Sequence, residues 1–356
     1  MEQREKTRNL LLKHYKTYPN LQLQDIFKFL YQSAFGCEHL VSSLETATDY
    51  ILKEFDGVCY EPKNIIEDLD GNYSRVSLAY MKNGLSASTF GKIFVTSAKT
   101  EENGLEILIE KLDVVKELIF SNSLPFTQIE FEKELSTWQK NGFPAMHHSE
   151  IFRDNYHPSY RVIANKYLPF LPLFTTLDQL LSKGTVTLAI EGGSASGKTT
   201  LSGMLADIYD CTVFHMDDFF LRPEQRTPER YAEVGGNLDR ERFLSEVLLP
   251  LKNGKNIRYR KFDCSTMSLG EEIEITPEQL TVVEGAYSMH PELQKHYDVS
   301  VYLNITPEMQ RKRIVKRNTP QMANRFFYEW IPLEQRYFSE MNIAEHCDLK
   351  IDVLEA

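Results

Sequence analysis

The run EGGSASGKTT, Glu191–Thr200, constrains this chain more than any other stretch. Gly192, Gly197, Lys198 and Thr199 satisfy the pattern G-x-x-x-x-G-K-[ST]. Glycines let a backbone turn tightly and aim successive N–H groups at phosphate oxygens, and a helix that follows adds its positive N-terminal end. Gly192, Gly193, Ser194, Ala195, Ser196, Gly197, Lys198, Thr199 and Thr200 are therefore read as a cradle for the phosphates of ATP. In it Lys198 reaches the β- and γ-phosphates and the Thr199 hydroxyl holds Mg²⁺. The flanks agree: an apolar run precedes the loop, and Leu201, Met204, Leu205 and Ile208 fall on one face of a helix after it.

From residue 185 onward, short apolar runs alternate with helical patterns. The runs are Val186–Ile190, Thr212–Met216, Leu280–Val283, Val299–Leu303 and, more weakly, Leu349–Val353; the helices are Thr199–Tyr209, Asp239–Leu251 and Pro307–Lys316. Such alternation predicts an α/β P-loop NTPase domain, a parallel sheet with helices on both faces. Thr306, Pro307 and Glu308 read as cap, first position and first turn of the third helix. The N-terminal half has a different grammar. Leu10–Tyr15, Leu23–Leu30 and Leu105–Ile119 repeat at helical spacing, and Tyr73–Tyr80 looks extended, which predicts a mainly helical α+β domain. The expected organisation is a helical domain over 1–167, a joint over 168–184, and a P-loop kinase domain over 185–356.

Ligands of open parallel sheets lie beyond the C-terminal ends of the strands. Asp217 and Asp218 follow one such strand and Glu284 follows another. Adjacent residues there point to opposite sides, so one of Asp217 and Asp218 faces the phosphates. An acid in that place accepts the proton of an attacking hydroxyl or helps place Mg²⁺, giving Thr199, Glu284 and Asp217 as the metal set. Arg311, Lys312, Arg313, Lys316, Arg317 and Arg325 form a basic stretch in a chain of net charge -11. Spacing puts Arg313, Lys316 and Arg317 on one face, which suits a lid neutralising a phosphoryl group; a solvated helix face is the alternative.

The acidic balance argues against nucleic acid as a partner. Cys37, Cys59, Cys211, Cys264 and Cys347 are scattered without a CxxC pair, which fits a reducing compartment. The N-terminus is charged rather than signal-like, and the apolar stretch Tyr167–Phe174 is too short and proline-broken to span a bilayer. A cytoplasmic protein without membrane attachment is expected.

With these residues placed, the segment from about 185 to 352 resembles the uridine kinase and phosphoribulokinase superfamily, which includes nicotinamide riboside kinases. HMDDFF, His215–Phe220, resembles its second-strand motif, which implies Asp217 as catalytic base and Phe220 beside the acceptor. GGNLDRERF, Gly235–Phe243, resembles its substrate segment, which implies Asp239 as the contact to the acceptor's sugar hydroxyls. RKFDCSTM, Arg260–Met267, resembles its Tyr-Asp segment and implies Phe262 and Asp263 beside the acceptor. VVEG, Val282–Gly285, matches the magnesium-associated acid at Glu284, and Arg311–Arg317 resembles the lid helix, implying Arg313 and Arg317 as phosphate ligands. Uridine kinases carry a His just after the Tyr-Asp segment, where this chain has Cys264–Met267, and a Tyr where it has Phe220. The resemblance implies an ATP- and Mg²⁺-dependent kinase acting on a small-molecule hydroxyl, such as the 5′-hydroxyl of uridine or another nucleoside.

The N-terminal half carries a separate cluster, Ala145–Arg161, with His147, His148, Glu150, Asp154 and His157, and a smaller one at Cys37, Glu38 and His39. One reading is a metal or second catalytic site using His147, His148, Glu150, His157 and His39, which would make the protein bifunctional. The other is a packed polar loop with satisfied histidines. A further alternative treats the P-loop half as an ATP sensor that switches the helical half. The identity of the acceptor, ATP against GTP, and the oligomeric state, a homo-oligomer included, stay open at this level.

Overall fold

The computed structural model describes residues 2–37, 43–57, 61–98 and 103–353. The chain forms two compact units, Met1–Leu168 and Pro169–Ala356.

The first unit is helix-rich. Helices Glu2–Thr17, Leu23–Phe35 and Gly104–Phe120 carry the three helical periodicities read from the sequence. Their apolar faces meet in one core, where Phe27 stacks on Trp138 at 4.9 Å between ring centroids. Further helices, among them Leu44–Asp56, Ala87–Ser97 and Gln128–Lys140, surround an antiparallel sheet of β1 (Ile66–Asp68), β2 (Tyr73–Ser77) and β3 (Tyr160–Ala164), in the order β1-β2-β3. The extended stretch expected at Tyr73–Tyr80 is a strand to Ser77 and then a tight helical turn, Leu78–Asn83. Cys59, Glu38 and His39 lie outside the described residues.

The second unit holds five parallel strands: β4 (Val186–Gly192), β5 (Cys211–His215), β8 (Leu280–Glu284), β9 (Val299–Asn304) and β10 (Leu349–Asp352), in the order β10-β9-β4-β8-β5. Every residue of β4 and β8 is buried, the signature of strands covered on both faces. Residues 169–184 join this unit: Leu171–Leu181 is a helix that buries Leu171, Leu173, Phe174 and Leu177. The sheet registers pair Glu284 with both Ile190 and His215, so the ends of β4, β8 and β5 reach the same edge.

The second unit also holds a hairpin that went unread in the sequence. Between the helical segment 240–252 and β8 lies an antiparallel hairpin, β6 (Ile257–Asp263) and β7 (Ser268–Ile275). Ile257, Tyr259 and Phe262 are its buried residues on β6, and a register shift between Arg260 and Phe262 breaks the period of two. With a half-exposed partner strand full of glutamates, no alternation survives to be recognised.

Candidate active site

The loop after β4 is built as its sequence demands. Gly192 has φ 148°, and a Cβ there would lie 2.7 Å from the Leu303 carbonyl oxygen. Gly197 caps the next helix at φ 100°, and that helix runs Lys198–Ile208. The Lys198 ammonium donates to the carbonyls of Gly192 (2.8 Å) and Gly193 (3.0 Å), which holds it over the loop. At the first turn, Thr199 Oγ1 donates to Glu284 Oε1 at 3.1 Å.

Glu284 is buried at the end of β8 and also meets His215 Nδ1 at 2.6 Å. That hydrogen bond raises the imidazole's pKa above its usual range against the opposing effect of burial. The two acids after β5 part company. Asp218 pairs with Lys261 of β6 at 3.0 Å. Asp217 instead feels the loop: surrounding protein raises its carboxyl, the Lys198 charge pulls it down, and Glu284 pushes it up. Its side chain is nonetheless open to solvent, so the upward push is the weaker one of a group lining a cleft rather than sealed in a core.

The helix Pro307–Arg317, capped by the Thr306 side chain, also touches the loop. Gln310 Nε2 donates to the Ser194 carbonyl at 2.8 Å and Arg313 Nη1 to the Ala195 carbonyl at 3.2 Å. Arg317 holds its guanidinium 5.5 Å from the Phe326 ring, which packs in the same small apolar cluster as Ala195 of the loop. Glu334, 5% exposed, accepts from the Ser194 N–H at 2.8 Å and its hydroxyl at 2.6 Å. Behind the loop, Glu191 is fully buried and accepts from the N–H groups of Gly192 and Met289 and the Tyr337 hydroxyl. Burial pushes its carboxyl up to about 7 against those donors.

The residues read as acceptor contacts lie around β5 and the hairpin. Asp239 is buried, caps the helical turn Arg240–Phe243 through the Arg242 N–H, and has Arg242 Nε 3.4 Å from Oδ2. That Oδ2 is shielded and makes no hydrogen bond among the described residues. Phe220 bridges to Leu238 beside it. Phe262 is buried beneath the Arg226 guanidinium at 5.6 Å. Asp263 is exposed and its carboxylate accepts from Ser265 N and Oγ, so it closes the hairpin's own turn. Sequence reasoning missed Glu334, Gln310 and Glu191. Gln310 sits one turn before Arg313 on the same face, a signal that was available. Glu334 had none, because 140 positions separate it from Ser194.

The histidine-rich segment of the first unit comes apart. His148 is buried with Nδ1 bonded to Asp25 at 2.9 Å and Nε2 to the Tyr160 hydroxyl at 2.7 Å, so neither nitrogen is available to a metal. His147, Glu150 and His157 are exposed, and no group of three metal-ligating side chains occurs among the described residues. The metal-site alternative is corrected accordingly; its His39 falls outside the described residues. Among the described residues no helix is long and apolar enough to cross a membrane.

Comparison with known proteins bears on the second unit. Residues 187–325 match the model of the phosphoribulokinase / uridine kinase family. A uridine kinase of Staphylococcus aureus (strain JH9) is 26% identical over 149 residues, 39% of this chain and 71% of that relative. Among solved structures, a possible uridine kinase from Bacillus stearothermophilus aligns at TM-score 0.38 and 21% identity, over 51% of this chain and 100% of that one. A shikimate kinase from Aquifex aeolicus aligns at TM-score 0.25 and 16% identity, over 48% of this chain and 87% of that one. With a phosphate-loop sequence, five parallel strands and the family match in one segment, the C-terminal region of this chain has the α/β P-loop fold, and its residues 187–325 are similar to the phosphoribulokinase / uridine kinase family.

Proposed function

We propose that the C-terminal unit transfers the γ-phosphoryl group of ATP, with Mg²⁺, to a hydroxyl of a small molecule, a nucleoside such as uridine being the favoured acceptor. The observation that carries this is the meeting of Asp217, Lys198 and Glu284 at the edge where β4, β8 and β5 end.

The residues fit the groups they would hold. Gly192 turns under the Leu303 carbonyl in a conformation that favours glycine, and the loop it opens leads into the N-terminus of the helix at Lys198, a place that favours phosphate. Thr199, Glu284 and Asp217 offer hard oxygen donors, the chemistry Mg²⁺ prefers. When bound, Mg²⁺ supplies charge neutralisation at the β- and γ-phosphates. Lys198 would exchange its bonds to the Gly192 and Gly193 carbonyls for phosphate oxygens. Arg313 and Gln310 already lie on the loop and would close over it, while Glu334 fixes the Ser194 amide. Arg317, held on Phe326, acts as support for that helix in this reading rather than as a phosphate ligand.

Asp217 orients the acceptor hydroxyl and takes its proton. A carboxyl raised from its usual range is a better base near neutrality, and its openness leaves room for the acceptor. Asp239, whose Oδ2 is ion-paired with Arg242 but makes no hydrogen bond among the described residues, keeps capacity to accept from acceptor hydroxyls. The nucleoside assignment rests on the 26% identity to a uridine kinase and on the motifs around Asp217 and Asp239. Its test is ADP release with Mg-ATP across nucleosides, nicotinamide riboside, pantothenate and sugars, with Lys198→Ala as control. Strong stimulation by a nucleoside, lost in the control, supports the reading. A flat response with ATP still bound favours the sensor alternative.

A further inference from the structure

The helical unit holds a pocket that the kinase reading leaves unused, and it is assembled by the histidine-rich segment together with β2. Its volume is about 260 Å³, near the lower end for small-molecule sites, which suits a ligand of one ring. Tyr18, Phe152 and Tyr156 form one wall, with centroid separations of 5.1, 5.0 and 4.9 Å among them. Tyr160 lines the same space, with the Arg75 guanidinium 4.8 Å from its ring.

Arg75 is the unusual feature. It is 3% exposed, and two of its nitrogens are committed: Nε donates to Gln32 Oε1 at 2.9 Å and Nη1 to Glu67 Oε2 at 2.9 Å. Nη2 is buried without a hydrogen-bond partner among the described residues, and so is the hydroxyl of Ser159, a second residue lining the pocket. A buried donor left unmade costs about 1–3 kcal/mol, more for a charged group, and native proteins rarely tolerate one without a use. Both are closed to solvent at rest, and a ligand oxygen satisfies them once the two side chains turn toward the pocket.

The charge state narrows the ligand. Burial by itself would raise the Glu67 carboxyl, but Arg75 and His14 hold it at about 2, so Glu67 stays ionised and balances Arg75. With Nε on Gln32 and Nη1 on Glu67, the guanidinium keeps Nη2 as the nitrogen with no hydrogen bond among the described residues. A single remaining nitrogen, a hydroxyl and an aromatic wall suit a flat, uncharged ring with one exocyclic oxygen.

We propose that the N-terminal unit binds a small neutral planar heterocycle through its ring carbonyl, which accepts from Arg75 Nη2 and Ser159 Oγ while the ring packs on Tyr18, Phe152 and Tyr156. The proposal stands independently of the phosphotransferase reading, since every residue in it belongs to the other unit.

The test is ligand-observed NMR titration of the full-length protein with four probes: 2-pyridone, uracil, benzoate and cyclohexanone. The lactams 2-pyridone and uracil are expected to bind in the range of about 1 mM or tighter, as befits ligands of so few atoms. Benzoate, charged, and cyclohexanone, not planar, are expected to bind at least several-fold more weakly. Ser159→Ala should weaken 2-pyridone roughly fivefold, the worth of one hydrogen bond, and Tyr156→Leu should weaken it while keeping apolar bulk. These variants also separate this site from any lactam binding at the kinase site, which they do not touch. Circular dichroism on each variant confirms folding. Benzoate binding more tightly than 2-pyridone, affinities unchanged in both variants, or no lactam binding at 10-fold the expected range would each overturn the proposal.

Discussion

The two units bury charge in opposite ways. In the kinase unit the groups that matter sit where strands end, and their partners are largely backbone: Lys198 on loop carbonyls, Arg313 on Ala195, Glu334 on the Ser194 amide. In the helical unit they form an interior network of side chains. Asp25 accepts from His148, from the Ser149 N–H and hydroxyl, and from the Gln22 N–H. Burial drives His148 down to about 3, so the imidazole is a neutral strut stacked on Phe152 at 4.2 Å. Backbone-made sites need contiguous residues of special conformation and therefore write a motif into the sequence. Side-chain networks recruit partners more than 100 positions apart, as Asp25 and His148 are, and write none.

The largest effect expected from this contrast is in catalysis. Asp217→Asn should lower kcat by about 10²–10⁴, the usual worth of a positioned base, with little change in the KM for ATP. Steady-state kinetics on both substrates check it; a parallel loss of ATP affinity would leave Asp217 its metal role alone and remove it as the base. Next in size is the interior of the helical unit. Arg75→Ala should cost about 3–5 kcal/mol in denaturant unfolding, because Glu67 is left buried without its cation. A loss below about 1 kcal/mol would mean the network is no more demanding than surface pairs.

Glu191 gives a pH signature for the kinase unit. Unfolded, it releases its proton near 4.5; folded, burial holds the proton until about 7. Between those values the folded state carries the extra proton, so this residue makes stability fall as pH rises and stops contributing a slope above them. The total is about 3 kcal/mol at most, and Glu191→Gln should flatten that part of the melting-temperature profile. Smallest is Thr306→Ala, which removes the side-chain cap on Met309 N–H at 3.3 Å and should cost about 1 kcal/mol in thermal unfolding.

The same contrast explains what the sequence made legible. The parallel strands announced themselves as short apolar runs because β4 and β8 are buried on both faces, and Gly192 because no other residue fits under Leu303. Asp217 and Glu284 followed from the rule that such sheets bind ligands beyond their strand ends. The β6–β7 hairpin did not, since its exposed face is charged and a register shift spoils its period. Histidine density misled: His147, His148 and His157 are close in sequence but unlike in place, one sealed in a network and two at the surface. The pocket of Arg75 and Ser159 had no sequence signal, because β2 and the loop before β3 meet only through the sheet.

The most direct test of the central claim is ³¹P NMR of the full-length protein with Mg-ATP and uridine, run beside the Lys198→Ala variant. The account predicts a phosphomonoester resonance growing in step with ADP, absent in the variant. ADP accompanied by inorganic phosphate alone, with uridine and every other alcohol of the panel unmodified, would contradict it and leave an ATP-hydrolysing switch in its place.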